Sequence, residues 1–453
     1  MTAQPARRIA LDVIMAVRDS DAYANLLLPV RLGRAKLSEA DAGLATELTY
    51  GTLRMQGYYD RVIAMAAGRS VDKIDAPILD VLRLACHQLL SMRVAQHAAV
   101  DESVELAKTV GSNSAVGFVN GVLRTITRTD ADTWRARVLA QATSGEESLA
   151  LEYSHPLWVT RAFRQVLVAE GREAELEALL AADNVAPRVS LAALPGESTT
   201  DELDAHPAEF SPVGAILDGG DPLKLPAVRE GRARVQDEGS QLAALALSRV
   251  RPIRAGEQWL DLCAGPGGKA ALLAAEAAAG GAILTANELV PARAELVRKA
   301  LAVFEAPPEV WELDGTTVGS LYPNAFDRIL LDAPCTGLGA LRRRPEARWR
   351  KQPSDVAGLG TLQAKLLASA LGALKPGGVL AYVTCSPHAA ETKSIVASVL
   401  RKTEGIERVD TPAVLQSIVS TALDLPEASH VQLWPHRHGT DAMFIQLLTK
   451  AAR

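Results

Sequence analysis

Two cysteines stand at the predicted ends of two strands. Cys335 closes the turn Asp332–Cys335 after the predicted strand Phe326–Leu331, and Cys385 follows the predicted strand Val379–Val383. The carboxyl ends of parallel strands form the ligand-binding edge of an open α/β sheet, so we expect both thiols to face one cavity. A thiolate can add to an electron-poor carbon such as C6 of a pyrimidine, which activates C5 for alkylation. A single cysteine is more often a packing residue, so this hypothesis rests on the pair.

The turn before Cys335 also carries an acid. Asp332 is placed to hydrogen-bond the amino and ring-nitrogen edge of a cytosine. A base inside a nucleic acid would have to be unstacked to reach such a cavity. After alkylation a base must also remove the C5 proton before the enzyme can leave. The residues alone leave open which cysteine attacks.

A glycine-rich turn offers a place for a second ligand. The strand Gln258–Leu262 is followed by Gly265, Gly267 and Gly268, and a helix begins at Lys269. Glycines let the backbone press against a nucleotide-like ligand at a helix N-terminus. The spacing matches neither the dinucleotide fingerprint nor the phosphate loop, which indicates recognition through ribose and amino-acid parts. A purely structural turn would use the same glycines.

Two acids follow the next predicted strands. Glu288 lies about 20 residues after the glycine turn, where a carboxylate accepts hydrogen bonds from ribose hydroxyls. Asp314, one strand further on, could bind an adenine amino group or shape its pocket. Each acid on its own could equally be a helix N-cap.

A dense cationic segment follows Cys335 in a chain whose formal net charge is −5. We expect it to contact RNA through its cations and one stacking ring, although a solvated charge run has the same composition. The predicted RNA-binding residues are Arg342, Arg343, Arg344, Arg348 and Trp349.

The bulk composition indicates a globular protein of 453 residues. The N-terminus lacks the apolar core of a signal peptide, and no apolar run approaches the roughly 18 residues of a membrane span. The four cysteines show no Cys-x-x-Cys spacing. We therefore expect a reduced, cytoplasmic monomer without a metal or a membrane partner.

The elements that position these residues fall into three predicted domains. Residues 1–140 read as all-helical, residues 141–235 as a small α+β linker domain, and residues 236–453 as alternating strands and helices. This alternation is typical of a doubly wound, mostly parallel sheet.

Several motifs resemble known families. The segments His97–Val100 and Phe118–Arg124 resemble the NusB-type helical RNA-binding domain. The alternative is that this helical part of the chain serves only as a scaffold. Asp261–Lys269, Asp332–Cys335 and Thr384–Pro387 resemble the motifs of RNA cytosine-5 methyltransferases. The whole chain is similar to the Fmu/Sun (RsmB) family.

The resemblance implies a Rossmann-like class I methyltransferase domain that uses S-adenosylmethionine and methylates C5 of a cytidine in small-subunit (16S) ribosomal RNA. It makes Cys385 the nucleophile that adds to C6, with Cys335 assisting release. DNA cytosine-5 enzymes attack with the cysteine of a Pro-Cys motif, so Cys335 is the rival nucleophile. It also implies that the following residues contact the cofactor or shape its pocket: Cys263, Ala264, Gly265, Pro266, Gly267, Gly268, Lys269, Glu288, Asp314 and Asp332.

Two positions depart from the family pattern, and two other functions remain open. Gly265 stands where the family often has alanine, which we expect to be harmless. Asp441–Phe444 stands where Asp-Gly-Phe-Phe is common, so the packing of the last hairpin is open. One alternative function is methylation of transfer RNA. The other is a non-catalytic RNA-binding factor with a vestigial cofactor fold.

Overall fold

The computed structural model describes residues 4–20 and 22–452. It divides the chain into two compact units. The first comprises the chain up to Leu167 with Arg172–Ala186 and Leu341–Arg350, and the second comprises Val168–Gly171, Pro187–Ala340 and Lys351–Arg453.

The first unit is helical, as predicted. Its helices begin where the sequence supplies caps: Ser38 accepts from the amide of Asp41 at the start of α3, and a proline lies in the first turn of α5. Its core is aliphatic with a few aromatic rings. The helices are α1 (Pro5–Asp19), α2 (Ala24–Ala35), α3 (Glu39–Arg54), α4 (Gln56–Ala67), α5 (Ala76–Leu90), α6 (Gln96–Val110), α7 (Asn113–Thr127), α8 (Ala131–Leu139), α9 (Gly145–Glu152), α10 (Leu157–Ala169) and α11 (Leu176–Ala182).

A small antiparallel sheet opens the second unit. Its strand order is β2-β3-β1-β4, and Leu191, Ala193 and Ala215 lie in its core. The strands are β1 (Val189–Ala193), β2 (His206–Pro207), β3 (Gly214–Leu217) and β4 (Ala233–Val235), with α12 (Pro226–Arg229) before β4.

The large sheet of the second unit carries the predicted site residues. Its strand order is β10-β12-β9-β8-β5-β6-β7, with β11 paired to β12. The five neighbouring strands β9, β8, β5, β6 and β7 run parallel to one another. Strand β12 runs antiparallel to β9. The strands are β5 (Gln258–Asp261), β6 (Ile283–Asn287), β7 (Glu309–Trp311), β8 (Phe326–Asp332), β9 (Leu374–Thr384), β10 (Ile406–Arg408), β11 (Val431–Gln432) and β12 (Phe444–Lys450).

Helices connect these strands in the alternation that the sequence predicted, and apolar clusters pack the sheet and helices together. They are α13 (Glu238–Ser248), α14 (Gly268–Gly280), α15 (Pro291–Leu301), α16 (Val318–Leu321), α18 (Pro353–Ala373), α19 (Lys393–Leu400), α20 (Thr411–Gln416) and α21 (Pro435–His438). The short helix α17 (Ala347–Arg350) belongs to the first unit.

The structure divides the chain differently from the three predicted domains. The predicted linker of residues 141–235 is split: its helices α9 to α11 fall largely in the first unit, and its strands fall in the second. The sequence change near Pro187 is therefore a boundary between units. Residues 341–350 also join the first unit, although their neighbours in sequence belong to the second.

Helix α18 is more apolar than the sequence analysis allowed. Within the described residues it is the one helix long and apolar enough to cross a membrane. However, Leu366, Leu367, Ala370 and Leu371 are buried in the core of the second unit. This burial is that of a core helix in a globular domain.

Candidate active site

The two predicted thiols meet. Strands β8 and β9 pair in parallel with Asp332 opposite Val383, so the loops after them begin side by side. The Sγ atoms of Cys335 and Cys385 lie 3.4 Å apart, within reach of a hydrogen bond between the sulfurs. Neither cysteine is in a disulfide, and both are only partly exposed. The sequence placed them on separate loops, and the strand register brings them together.

The surroundings keep Cys335 protonated. The hydrogen bond with Cys385 raises the pKa of the Cys335 thiol well above its ordinary value, and burial and the charges of Cys385, Glu391 and Asp332 raise it further. One proton shared between two close thiols favours a thiol–thiolate pair.

A cation lies beside this pair. Lys269 Nζ donates to Asp332 Oδ2 at 2.7 Å. Burial lowers the pKa of Lys269, but the charge and hydrogen bond of Asp332 and the charge of Cys385 outweigh it, so the pKa is raised. Lys269 therefore stays charged, and its charge interacts with Cys385 as well as with Asp332. The first residue of the predicted helix thus belongs to the same cluster as the cysteines.

The glycine turn lies between β5 and α14. Gly267 adopts a φ of +103°, and a Cβ there would meet Ala300 Cβ at 2.5 Å and Val297 Cα at 3.1 Å on α15. The turn is closed by a hydrogen bond from the Gly267 amide to the Ala264 carbonyl at 2.7 Å. Only glycine satisfies both the backbone conformation and the close packing.

Glu288 reaches back to the same turn. Its Oε2 accepts from the Gly265 amide at 3.1 Å, and its Oε1 accepts from the Val290 amide at 3.0 Å. Arg293 donates to the Gly265 carbonyl at 2.7 Å. A Cβ on Gly265 would collide with Glu288 Oε2, so an alanine at this position requires the carboxylate to move, whereas the glycine of this chain accommodates it.

The other predicted cofactor residues take ordinary positions around the turn. Cys263 is half-buried, and burial raises the pKa of its thiol. Pro266 is exposed. Asp314 is also exposed and caps the helical turn after β7, where its Oδ1 accepts from the Thr316 amide at 2.9 Å. That hydrogen bond lowers the pKa of Asp314 and matches the N-cap alternative.

Two acids escaped the sequence analysis as site residues. Asp261, the last residue of β5, is buried, and neither of its carboxylate oxygens has a hydrogen-bond partner in the part of the chain that the structure describes. Burial, and next the charge of Asp332, raise its pKa to about 8. The position of Asp261 at a strand end was the available signal. Glu391 is fully buried behind the cysteine loops, and no sequence motif marked it.

The cationic segment departs from the predicted RNA contact. Arg348 is fully buried in the first unit, where its guanidinium donates to the carbonyls of Arg54 and Ser154 at 3.1 and 3.0 Å and to Asn184 Oδ1 at 3.0 Å. Burial lowers its pKa to about 10. Arg342 is buried as well. These two side chains have no surface for RNA in this structure, because the segment is bound within the helical unit.

The remaining residues of this segment differ in exposure. Arg344 is exposed, with its guanidinium over the ring of Tyr23, and Arg343 is half-buried. Trp349 is half-buried, and its ring lies so close to Gly57 that a Cβ there would collide with it. Within this segment, Arg344 is thus the predicted RNA contact most accessible to solvent.

Comparisons with known proteins identify the family of this chain. Residues 250–449 match the family of RsmB/F 16S rRNA methyltransferases, and residues 4–128 match the NusB family. A protein of Mycobacterium tuberculosis, provisionally named a methyltransferase, is 48% identical over 98% of this chain and 96% of its own length. The ribosomal RNA small subunit methyltransferase B of Pseudomonas putida is 30% identical over 98% of both chains.

Solved structures share the fold. The crystal structure of PH0851 superposes with a TM-score of 0.82 at 21% identity and covers 99% of this chain and 100% of that chain. A methyltransferase homologue from Pyrococcus horikoshii gives a TM-score of 0.55 at 20% identity over 68% of this chain and 100% of that chain. Because a relative that is 30% identical covers almost the full chain and two family models match it, the chain belongs to the RsmB/F family of methyltransferases. It carries a NusB-family domain at its front.

Proposed function

We propose that this protein methylates C5 of a cytidine in small-subunit ribosomal RNA in the cytoplasm, through a covalent bond between Cys385 and C6 of the base. One observation carries the proposal: two thiols lie 3.4 Å apart beside the Lys269–Asp332 ion pair. Family membership and the name of the Pseudomonas putida relative support ribosomal RNA as the substrate.

The glycine turn fits S-adenosylmethionine, which supplies the methyl group when bound. The close packing of Gly267 on α15 fixes the shape of this turn, and the N-terminus of α14 that follows it is the proposed surface for the cofactor. Asp261 offers a buried carboxylate without a hydrogen-bond partner, and a cationic group of the ligand would compensate it. Glu288 and Asp314 are the proposed contacts to ribose and adenine, together with residues 263–269.

The charges around the thiols support an order of events. Cys385 attacks as the thiolate, favoured by Lys269, while Cys335 keeps its proton. The new C–S bond removes the charge of Cys385, which is one of the causes of the raised pKa of Cys335. Cys335 then gives its thiol proton to solvent water and, as the thiolate, takes the C5 proton after methylation. The C5–C6 double bond re-forms as the C–S bond breaks, and Cys385 leaves as a thiolate. Asp332, held by Lys269, binds the amino edge of the cytosine.

Cysteine substitutions test this assignment. We expect Cys385→Ala to abolish methyl transfer and covalent trapping of RNA, whereas Cys335→Ala forms the adduct but stalls as an RNA-linked enzyme. Denaturing gels with labelled 16S RNA and S-adenosylmethionine measure both. Cys86→Ala, a buried cysteine of the first unit, is the control and should turn over normally.

Three outcomes would contradict the proposal. If Cys335→Ala loses the adduct and Cys385→Ala keeps it, the roles are reversed. If transfer RNA is methylated and 16S RNA is not, the substrate is wrong. Absence of S-adenosylmethionine binding in calorimetry would instead favour the non-catalytic RNA-binding factor.

A further inference from the structure

A buried carboxylate joins the two cysteine loops. Glu391, in the turn before α19, is fully buried. Its Oε2 accepts from Thr336 Oγ1 at 2.5 Å and from Ser386 Oγ at 2.6 Å. Thr336 directly follows Cys335, and Ser386 directly follows Cys385. One carboxylate oxygen therefore binds the neighbour of each thiol.

The second oxygen fixes the same loop from another side. Glu391 Oε1 accepts from the Thr336 amide at 2.8 Å and from Gln363 Nε2 at 3.3 Å. Gln363, on α18, also donates to the Pro334 carbonyl at 2.8 Å. Both side-chain oxygens of Glu391 thus act as acceptors, and together they receive four hydrogen bonds.

Glu391 is itself held in place. The Tyr382 hydroxyl donates to its backbone carbonyl at 2.8 Å, and Tyr382 lies in the buried part of β9. The carboxylate is thus anchored to the strand that leads to Cys385. Hydrogen bonds to a charged acceptor in a dry interior are strong and directional, so they hold both loops at a fixed separation.

We infer that Glu391 is a positioning residue that sets the distance between the Cys335 and Cys385 thiols by binding Thr336 and Ser386 at once. The inference deepens the proposed function, because it concerns the same two thiols. It assigns no contact with RNA or cofactor to Glu391. Its expected consequence for methylation is a lower kcat with an unchanged KM for S-adenosylmethionine, since the glycine turn is untouched.

The thiol spacing is testable without RNA or cofactor. Phenylarsine oxide bridges two close thiols: two As–S bonds form, the As=O bond breaks, and the oxygen leaves as water with both thiol protons. Its affinity for the full chain, measured by competition with a small dithiol, reports how well the pair is held. Cys335→Ala gives the reference value for a single thiol.

We expect Ser386→Ala and Thr336→Val to weaken arsenical binding about tenfold each, because each loses a hydrogen bond to a charged acceptor. Glu391→Ala should weaken it further if it folds. The control is Glu404→Gln, an exposed glutamate of the same unit, which should bind like the wild type.

Unchanged arsenical affinity in both Ser386→Ala and Thr336→Val would overturn the inference, whatever their methylation rates. Conversely, weakened binding would uphold it even if the 16S RNA assay failed. The two proposals can therefore fail separately.

Discussion

At the scale of the residue, the least expected group is the buried acid at the end of β5. Asp261 has no hydrogen-bond partner within the described residues, and its pKa is raised to about 8, by burial first and by Asp332 next. An uncompensated acid costs stability whenever it is ionised. Such a cost is expected where a cationic ligand is to bind.

The first prediction concerns the pH dependence that Asp261 imposes. Its pKa rises from 3.8 in the unfolded chain to about 8 in the fold, so the folded state binds more protons between these values. The free energy of unfolding should fall as pH rises through this window, by up to about 1.4 kcal/mol per pH unit. The Asp261→Asn variant does not lose this stability as pH rises. The Tm of the variant minus the Tm of the wild type should therefore increase from pH 5 to pH 8.

Thermal unfolding of both proteins without cofactor checks the prediction. Titrating groups remote from Asp261 are common to both proteins and cancel in the difference, whereas Cys263 and Lys269, whose pKa values its charge raises, are part of the effect. Parallel Tm curves across the window would show that Asp261 is not the group responsible.

At the scale of the element, the glycine turn is defined by its packing on α15 as well as by its backbone. Gly267 and Gly256 both have positive φ, at +103° and +82°. A Cβ at Gly267 would strike Ala300 and Val297, whereas a Cβ at Gly256 has nothing within 4 Å. Comparing substitutions at these two glycines therefore separates the cost of the strained backbone from the cost of the steric collision.

The second prediction uses this pair. Gly256→Ala should cost only the strain of its backbone, while Gly267→Ala should cost about 2 kcal/mol more because it also overpacks α14 against α15. Gly267→Ala should also weaken S-adenosylmethionine binding, and Gly256→Ala should not. Denaturant unfolding and calorimetry measure the two effects. Equal destabilisation by both substitutions would mean that α15 yields to the added methyl group.

At the scale of the whole molecule, the chain leaves the second unit after Ala340 and returns at Lys351. The intervening segment contributes Arg348 to the interior of the first unit, with Glu346 and Arg350 bound there as well. Glu346 accepts from the Ala24 amide at 3.3 Å, and Arg350 donates to the Val17 and Ala22 carbonyls. This segment has the composition of an RNA-binding loop, yet several of its side chains are bound inside the first unit and have a structural role.

The third prediction contrasts two arginines of this segment. Arg348→Ala should destabilise the protein by at least about 3 kcal/mol, because several buried acceptors lose their donor. Arg344→Ala, at an exposed position, should leave stability within about 0.5 kcal/mol of the wild type. If the segment binds RNA through its accessible cation, Arg344→Ala should weaken RNA binding and reduce its salt dependence. A wild-type Tm for Arg348→Ala would refute the structural role.

Part of this protein was readable from its sequence. Alternation of apolar runs with helical periodicity predicted the parallel sheet, because strand and helix periods are local properties. The strand ends located Cys335, Cys385, Glu288 and the glycine turn at one edge, and the helical front was predicted with the resemblance of His97–Val100 to NusB-type domains.

The rest required tertiary structure. Local pattern cannot give the 3.4 Å between the thiols, since it depends on the register of β8 against β9. Local pattern also cannot show that Asp261 lacks a hydrogen-bond partner or that Glu391 links two loops. Burial and hydrogen-bond partners depend on residues distant in sequence. Arg348 illustrates the same limit. A charged side chain is predicted to be exposed from sequence, and only the fold shows that carbonyls distant in sequence surround this one. Sequence determined the elements and their chemistry; long-range packing decided which groups face each other.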